Sequence, residues 1–253
     1  MKPYIQISVR SKIETVGWDV GSQLLESLYL NDGLLTPEFV SHNADKITEV
    51  FEGKEQAERL WAEKASIGAN GSLSDFFLDF SWKRKKSVKS SGRISHMFRN
   101  IRNQIIPADI YLNSVFSEKI DWYQLFKVWC EIFPPQLGML HYFTESELLP
   151  HQVNGSFQIG SFNAALKPNV PNIGWAMFYG NEFAEKVDAD RVASAGFPIE
   201  KMGDGYLVKV TESIREVRDD FPLFSRRRAE LKKLFPEGFF LIQDEPASEN
   251  PSS

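Results

Sequence analysis

The chain has 253 residues and a net charge of −5, and 42% of its residues are hydrophobic, 25% charged and 13% aromatic. These values are typical of a globular protein that buries a substantial core, and the aromatic content predicts a core built from large rings. The acidic balance argues against a general nucleic-acid binder, although it leaves room for a local basic patch. The single cysteine, Cys130, excludes an internal disulfide and a cysteine-based zinc site, and it fits a reducing compartment.

No segment predicts export or a membrane span. The first residues lead straight into a strand pattern without the apolar core of a signal peptide, and no apolar run approaches about 20 residues. We therefore expect a cytoplasmic protein without a membrane partner.

The first third of the chain alternates between strand and helix patterns. Ile5, Ile7 and Val9 alternate with polar residues and predict a half-buried strand. The leucines after Ser22 predict a helix capped by that serine. The segments predicted next are an acidic helix, a loop and two strands, at 44–65, 68–74, 74–82 and 105–112.

The strongest helix pattern runs from Asp121 to Phe133. Apolar residues recur there at helical spacing, Asp121 can cap the first turn, and two prolines follow the last one. Cys130 lies on the apolar face and is predicted to be a core residue rather than a nucleophile. Two strands are predicted next, at 137–143 and 157–162, with an acidic turn at 145–150 between them.

An apolar run at 173–179 predicts a strand covered on both faces, with Trp175 as its largest packing residue. Asn181 is expected to cap a short helix after it. The remaining segments are a helix, a hairpin with Asp204 and Gly205 at its tip, a basic amphipathic helix and a strand, at 188–195, 199–210, 225–235 and 239–242.

These patterns predict one α+β domain over 1–242, with a mixed, largely antiparallel sheet and helices packed on its faces. Residues 243–253 are acidic, contain Pro and Ser, and have almost no apolar groups, which predicts a disordered tail.

Motifs that identify a catalytic or metal site are missing. The four histidines, His42, His96, His141 and His151, are scattered, and no nucleophile elbow, phosphate-binding loop or dinucleotide fingerprint occurs. His141 lies in an apolar strand pattern, which favours a structural histidine over a catalytic one. We predict no catalytic residue, metal ligand or cofactor, and a hydrolase that joins carboxylates to His141 or His151 ranks last.

Charges of opposite sign are separated along the chain. Residues 83–102 contain eight Lys or Arg and no acidic residue, whereas 44–63 and the C-terminal tail are acidic. Separated charged surfaces suit recognition of a protein partner better than catalysis. The alternative is a nucleic-acid-binding module that uses 83–102, but only Phe98 supplies an aromatic ring there for stacking on bases.

The C-terminal half carries a recognisable pattern. It consists of Gly174 to Tyr179, the pair Phe183 and Ala184, the segment from Phe197 to Lys201, and the hairpin from Gly203 to Val208. This pattern resembles the immunity protein 52 family, antitoxins of bacterial polymorphic and type VI secretion effectors. Gly174 and Trp175 look like signature residues of the core.

The resemblance implies a mixed α+β fold and a non-enzymatic protein that binds a cognate secreted toxin. Such a toxin is often a nuclease of restriction-endonuclease type, and the immunity protein blocks its active site or its substrate path. An acidic inhibitor can oppose the basic groove of such a nuclease. The candidates for partner contacts are carboxylates expected on solvated loops: Glu145, Glu147, Asp219 and Asp220.

Overall fold

The structure is a computed structural model and describes residues 2–69, 72–100, 102–147, 170–243 and 245. The chain combines α-helices with antiparallel sheet, as the sequence predicts. The sequence predicts a single domain over 1–242, and the structure divides this range into two compact units. We call 7–134 the N-terminal unit, and 1–6 together with 135–253 the C-terminal unit.

The described residues of the N-terminal unit include all or part of ten strands. They are β1 (Tyr4–Ser11, of which residues 7–11 belong to this unit), β2 (Phe39–Ser41), β3 (Glu49–Val50), β4 (Lys64–Ala69), β5 (Ser72–Phe77), β6 (Phe80–Arg84), β7 (Ser90–Ser95), β8 (Phe98–Arg99), β9 (Ile105–Ile106) and β10 (Ala108–Ser114). The main sheet has the order β1-β10-β7-β6-β2-β3, in which β10–β7, β7–β6, β6–β2 and β2–β3 pair antiparallel. β4–β5 and β8–β9 form separate two-stranded sheets.

The three helices described in the N-terminal unit carry four of its five tryptophans. They are α1 (Trp18–Tyr29), α2 (Lys54–Trp61) and α3 (Trp122–Ile132). Trp61 of α2 contacts Phe80, and Trp129 of α3 contacts Trp82, with ring centroids 5.4 and 6.3 Å apart. The Trp129 indole also donates to the hydroxyl of Ser27 in α1 at 2.9 Å. The core therefore forms on the sheet face that presents these β6 rings.

The predicted helix around Asp121 is confirmed. Asp121 accepts a hydrogen bond of 2.9 Å from the backbone N–H of Gln124, which caps α3. Cys130 is buried, as predicted, and burial raises the pKa of its thiol well above the ordinary value. The helix forms where expected because its cap and its apolar periodicity are both local signals.

Other boundaries in this unit differ from the prediction. Ser22 lies inside α1, which begins at Trp18 after Gly17, so the predicted serine cap is wrong. Only Lys54–Trp61 of the predicted helix at 44–65 is helical. The segment before Lys54 is not helical because its pairing with β2 overrides the local helical preference, and the backbone N–H of Phe51 donates to the carbonyl of Glu38 at 2.9 Å.

The predicted strands at 74–82 and 105–112 are each two strands, and the predicted loop at 68–74 falls largely within β4 and β5.

The described residues of the C-terminal unit form four strands and four helical segments. The strands are β11 (Pro135–Phe143), β12 (Ala176–Tyr179), β13 (Ile199–Met202) and β14 (Gly205–Lys209), paired antiparallel in the order β13-β14-β12-β11. The helices are a 3₁₀ helix (Asn181–Lys186), α4 (Ala189–Ser194), α5 (Glu216–Asp219) and α6 (Phe221–Lys232). The predicted strand at 157–162 lies outside the described residues.

Gly174 and Trp175 lie in the core, as predicted. Trp175 is 3% exposed, and its indole donates to the hydroxyl of Thr211 at 3.1 Å. A side chain at Gly174 would place its Cβ 2.7 Å from Cγ of Met139, which explains the need for glycine. The strand that follows begins only at Ala176.

Several boundaries in the C-terminal unit also differ from the prediction. Asn181 has a φ of 45° and does not cap the helix; its amide donates to Asp204 at 3.0 Å. The β13–β14 turn is Gly203 with Asp204, one residue earlier than predicted, because the left-handed φ of 57° falls on Gly203. α6 begins at Phe221 rather than at 225, and 239–242 makes a single bridge instead of a strand.

In the described residues, no helix is both long and apolar enough to cross a membrane.

Replacing Trp175 by alanine should lower the free energy of unfolding by about 3–5 kcal/mol, because the change leaves a cavity in the core and removes the hydrogen bond that the indole donates to Thr211. Trp175→Phe keeps most of the buried apolar area, so it should lower the free energy of unfolding by less than Trp175→Ala does. Urea unfolding monitored by circular dichroism measures both variants. A negligible loss for Trp175→Ala would show that the ring is not a core element.

Candidate functional site

The four predicted contact residues lie in different environments. Glu145, Asp219 and Asp220 are exposed, as expected. Asp219 pairs with Arg218 at 2.6 Å, and Asp220 caps α6 by accepting a backbone hydrogen bond of 3.1 Å from its first turn. Glu147 is only 6% exposed, so the expectation that it is a solvated surface carboxylate is wrong.

Glu147 belongs to a buried ionic cluster in the C-terminal unit. Its carboxylate accepts a hydrogen bond of 2.6 Å from Nη1 of Arg228, a fully buried side chain of α6. Nε and Nη2 of the same guanidinium each lie 2.6 Å from Oε2 of Glu245. Arg228 therefore holds two carboxylates that are far apart in the sequence. We call Glu147, Arg228, Glu245, Lys232 and His141 the ionic cluster.

One face of α6 supplies both cations of this cluster. Ser225, Arg228 and Lys232 are spaced by three and four residues and therefore lie on the same side of the helix. Lys232 Nζ lies 2.5 Å from Glu245 Oε1, and the Ser225 hydroxyl donates to Oε2 at 3.4 Å. Glu245 lies in the predicted disordered tail, yet it is held at this site. Sequence reasoning missed the cluster, although the placement of Arg228 and Lys232 on the side of buried Leu231 is a signal for it.

His141 closes the cluster on the side of β11. Its Nδ1 accepts a hydrogen bond of 3.0 Å from the backbone N–H of Trp175, which assigns the ring proton to Nε2. Nε2 lies 3.6 Å from Glu147 Oε1. The ring packs against Phe143 and Phe224, with centroids 4.7 and 5.6 Å away. These contacts fit a structural histidine, the role that the strand pattern favours.

The charges of the cluster balance at neutral pH. Burial raises the pKa of Glu147, but the charge of Arg228 and the approach of His141 outweigh burial and lower this pKa to about 2. Burial lowers the pKa of His141, so the ring stays neutral, and burial also lowers the pKa of Lys232 against the opposing effect of Glu245. Burial disfavours the charge on Arg228, yet its two carboxylates raise the pKa of the guanidinium.

The cluster is closed to solvent. The side chains of Arg228, Glu147 and Glu245 are 0%, 4% and 11% exposed. A general acid or base must come within hydrogen-bond distance of a substrate proton, and buried paired groups do not offer that approach. This geometry indicates a structural role, in which the ion pairs hold the segments that carry Glu147 and Glu245 against α6. Across the described ranges, no group of three or more His, Cys, Asp or Glu side chains is placed to hold a metal ion.

The N-terminal unit presents a second charged feature, which is open to solvent. We call it the acidic surface, and it consists of six exposed carboxylates on and around β3 and α2: Asp45, Glu49, Glu52, Glu55, Glu58 and Glu63. β3 is the last strand in the order of its sheet, and Val50 in it is 62% exposed. The acidic surface therefore combines negative charge with an exposed apolar side chain.

The side chain of Gln56 covers the outer edge of β3. Its Nε2 donates to the carbonyl of Val50 and its Oε1 accepts from the backbone N–H of Glu52, both at 2.8 Å. An uncovered edge strand invites pairing with another chain. Since Gln56 satisfies these groups, the edge of β3 does not offer them for pairing with another chain.

The basic segment 83–102 contributes to β6, β7 and β8, and its residues 85–89 connect β6 to β7. Glu38 accepts hydrogen bonds from the backbone N–H groups of Lys85 and Lys86 at 2.7 and 3.0 Å, and it pairs with the Lys86 ammonium at 3.2 Å. The Lys85 ammonium lies 4.3 Å from the ring centroid of Phe39. These contacts engage part of the positive charge within the unit, which weakens the case for phosphate binding.

Comparison with protein-family models and with curated proteins gives no match. The resemblance to the immunity protein 52 family stays a prediction from the residues around Gly174 and Trp175.

Arg228→Met should lower the free energy of unfolding by about 3–5 kcal/mol, because Glu147 is left buried without its charged partner. Adding Glu147→Leu should restore most of this loss, since Lys232 still pairs with Glu245. Urea unfolding of the two single variants and the double variant measures the coupling. Arg218→Met removes an exposed pair and should cost less than about 1 kcal/mol; equal losses for Arg218→Met and Arg228→Met would contradict the role of the cluster.

Acid should remove the contribution of Glu147. Its pKa is about 2 in the folded protein, against roughly 4.3 for an unfolded chain. The contribution, on the order of 3 kcal/mol, is therefore fully present above pH 4.3 and is lost as the pH falls towards 2. Unfolding free energies at pH 6 and pH 3 should differ less for Glu147→Gln than for the wild type. An unchanged difference would contradict the assignment.

Proposed function

We propose that this protein is an immunity protein that binds a cognate secreted toxin in the cytoplasm and blocks its active site or its substrate path. The observation that carries the proposal is the acidic surface on β3 and α2. A toxin that cleaves nucleic acid needs a basic groove to bind phosphates. An array of exposed carboxylates is complementary to such a groove, and the resemblance in the C-terminal half points to the same class of partner.

Charge complementarity matters most for the speed of capture. Opposite fields can raise association rates by 10- to 1,000-fold over those of neutral partners. An inhibitor that protects its own cell has to bind before the toxin cuts DNA, so the proposed function requires fast association. Five of the six carboxylates lie between 45 and 58, and they outnumber the cations within and next to this stretch, Lys46, Lys54 and Arg59.

The acidic surface also has the composition of an interface. Val50 supplies an exposed apolar side chain, and carboxylates surround it in the sequence, as in interfaces with an apolar centre and a polar rim. The carboxylates of α2 and β3 stand on regular backbone, which reduces the entropy lost on binding. Glu145, Asp219 and Asp220 stay candidates for additional contacts, whereas Glu147 is engaged inside the ionic cluster.

Charge reversal tests the proposal. The toxin that the proposal expects to be encoded by a neighbouring gene is co-expressed with the wild-type chain and with a triple variant carrying Glu49→Lys, Glu52→Lys and Glu55→Lys. The wild type should protect the cells and form a complex on gel filtration. The triple variant should associate at least about 10-fold more slowly in stopped-flow measurements, and its rate should depend less on salt.

A matched triple variant changes the same net charge elsewhere. It carries Glu185→Lys, Asp190→Lys and Glu237→Lys, three exposed positions in the C-terminal unit, and it should associate at nearly the wild-type rate. Continued killing without a complex for the wild-type chain would overturn the proposed function. Equal rates for both triple variants would leave the function standing and reject the acidic surface as the site.

A further inference from the structure

A groove in the N-terminal unit lies between the C-terminal halves of α1 and α3. Its volume is about 310 Å³, and its walls include Leu30 and Glu26 on one side and Val128, Glu131 and Ile132 on the other. Ligand pockets typically run from about 300 to 1,000 Å³. The groove is therefore at the small end of this range and suits one or two side chains of a partner.

The floor of the groove is apolar and incompletely buried. Leu30 is 44% exposed, and Val128 and Ile132 are partly exposed. Val128 and Ile132 are four residues apart and form a continuous strip on α3. The lining contains two uncharged polar side chains, Gln23 and Ser27. Gln23 is exposed, and the Ser27 hydroxyl is already used, because it donates to the carbonyl of Leu24 at 2.6 Å and accepts from Trp129. The floor therefore offers van der Waals contact to an aliphatic chain.

The rim of the groove is negative. The C-terminal end of a helix carries a partial negative charge, and neither α1 nor α3 has a basic residue in its last turn. Glu26 and Glu131 are exposed at the same groove. Lys54 pairs with Glu26 at 2.5 Å, whereas no ion pair of Glu131 occurs within the described residues. The negative charge on the α3 side is therefore available to a cation.

We propose that this groove binds an arginine side chain presented by the partner protein. The aliphatic stem lies along Leu30, Val128 and Ile132, and the guanidinium faces Glu131, with which its planar fork forms two parallel hydrogen bonds. This arrangement matches both properties of the groove, since arginine joins an apolar stem to a permanent charge. The identity of the partner rests on the proposed function, whereas the chemistry of the groove does not.

The first experiment needs no toxin. Amide shifts of the ¹⁵N-labelled full chain are followed by NMR during titration with N-acetyl-arginine amide, with N-acetyl-citrulline amide as the neutral probe of the same shape. Arginine amide should give saturable shifts confined to 26–30 and 128–133 with a dissociation constant in the millimolar range, and citrulline amide should bind at least 10-fold more weakly. Equal binding of the two probes, or the absence of saturable shifts in these segments, would overturn the proposal.

Glu131→Lys is the matching variant. A lysine at this exposed position near the end of α3 suits the helix dipole, so the variant should fold. It should weaken arginine-amide binding at least 10-fold, whereas Glu14→Lys, which makes the same charge change at another exposed site of the unit, should not. Equal weakening by both variants would show a general field effect and reject the groove.

The second experiment uses the toxin. If the wild-type chain binds it, Glu131→Lys should raise the dissociation constant at least 10-fold and Glu14→Lys should leave it within about 2-fold. Equal affinity of Glu131→Lys and the wild type would overturn the role of the groove and leave the proposed function intact. If the wild-type chain does not bind the toxin, the proposed function fails, and the arginine-amide titration alone decides the groove.

Discussion

The protein depends on burying large indole rings, and most of their polar N–H groups find an acceptor, whereas the N–H of the buried Trp82 has none among the described residues. Trp61 donates to the carbonyl of Thr15 at 3.0 Å, Trp129 to the hydroxyl of Ser27, and Trp175 to the hydroxyl of Thr211. A buried ring stabilises through its area, but an unpaired N–H would offset part of that gain. Each acceptor therefore sets where the element carrying the ring can lie. Trp61 fixes α2 and with it the acidic surface, and Trp129 fixes α3 against α1 and with it the groove.

The ionic cluster and the acidic surface place charged groups in opposite environments, one buried and paired and the other exposed to solvent. In the ionic cluster, Arg228 and Lys232 are desolvated and matched by Glu147 and Glu245, so the charge is internally neutralised and fastens segments of the C-terminal unit. On the acidic surface the carboxylates stay in water, where they contribute little to stability. Their field reaches solvent instead, and this makes the acidic surface suited to capturing a basic partner.

Local signals predicted much of the fold. The helix capped by Asp121, the buried strand at 137–143, and the helix that Asp188 caps before Gly196 all carry their determinants within a few residues. The prediction was wrong where a distant pairing decided the structure. The segment around Phe51 has helical spacing but pairs with β2, and the hairpin turn moved to Gly203 because strand register decides which residue takes the left-handed φ.

Of the candidate sites, the sequence by itself determined that Gly174 and Trp175 are core residues, because an apolar run around a bulky ring has no stable place in water. It also determined that 44–63 is acidic. Only the tertiary structure decided that Glu147 is buried while Glu145, two residues earlier, is exposed. The reason is that the partner of Glu147 is Arg228, 81 residues away. No local pattern records such a partner, since the cost of burying a charge depends on what the completed fold places against it.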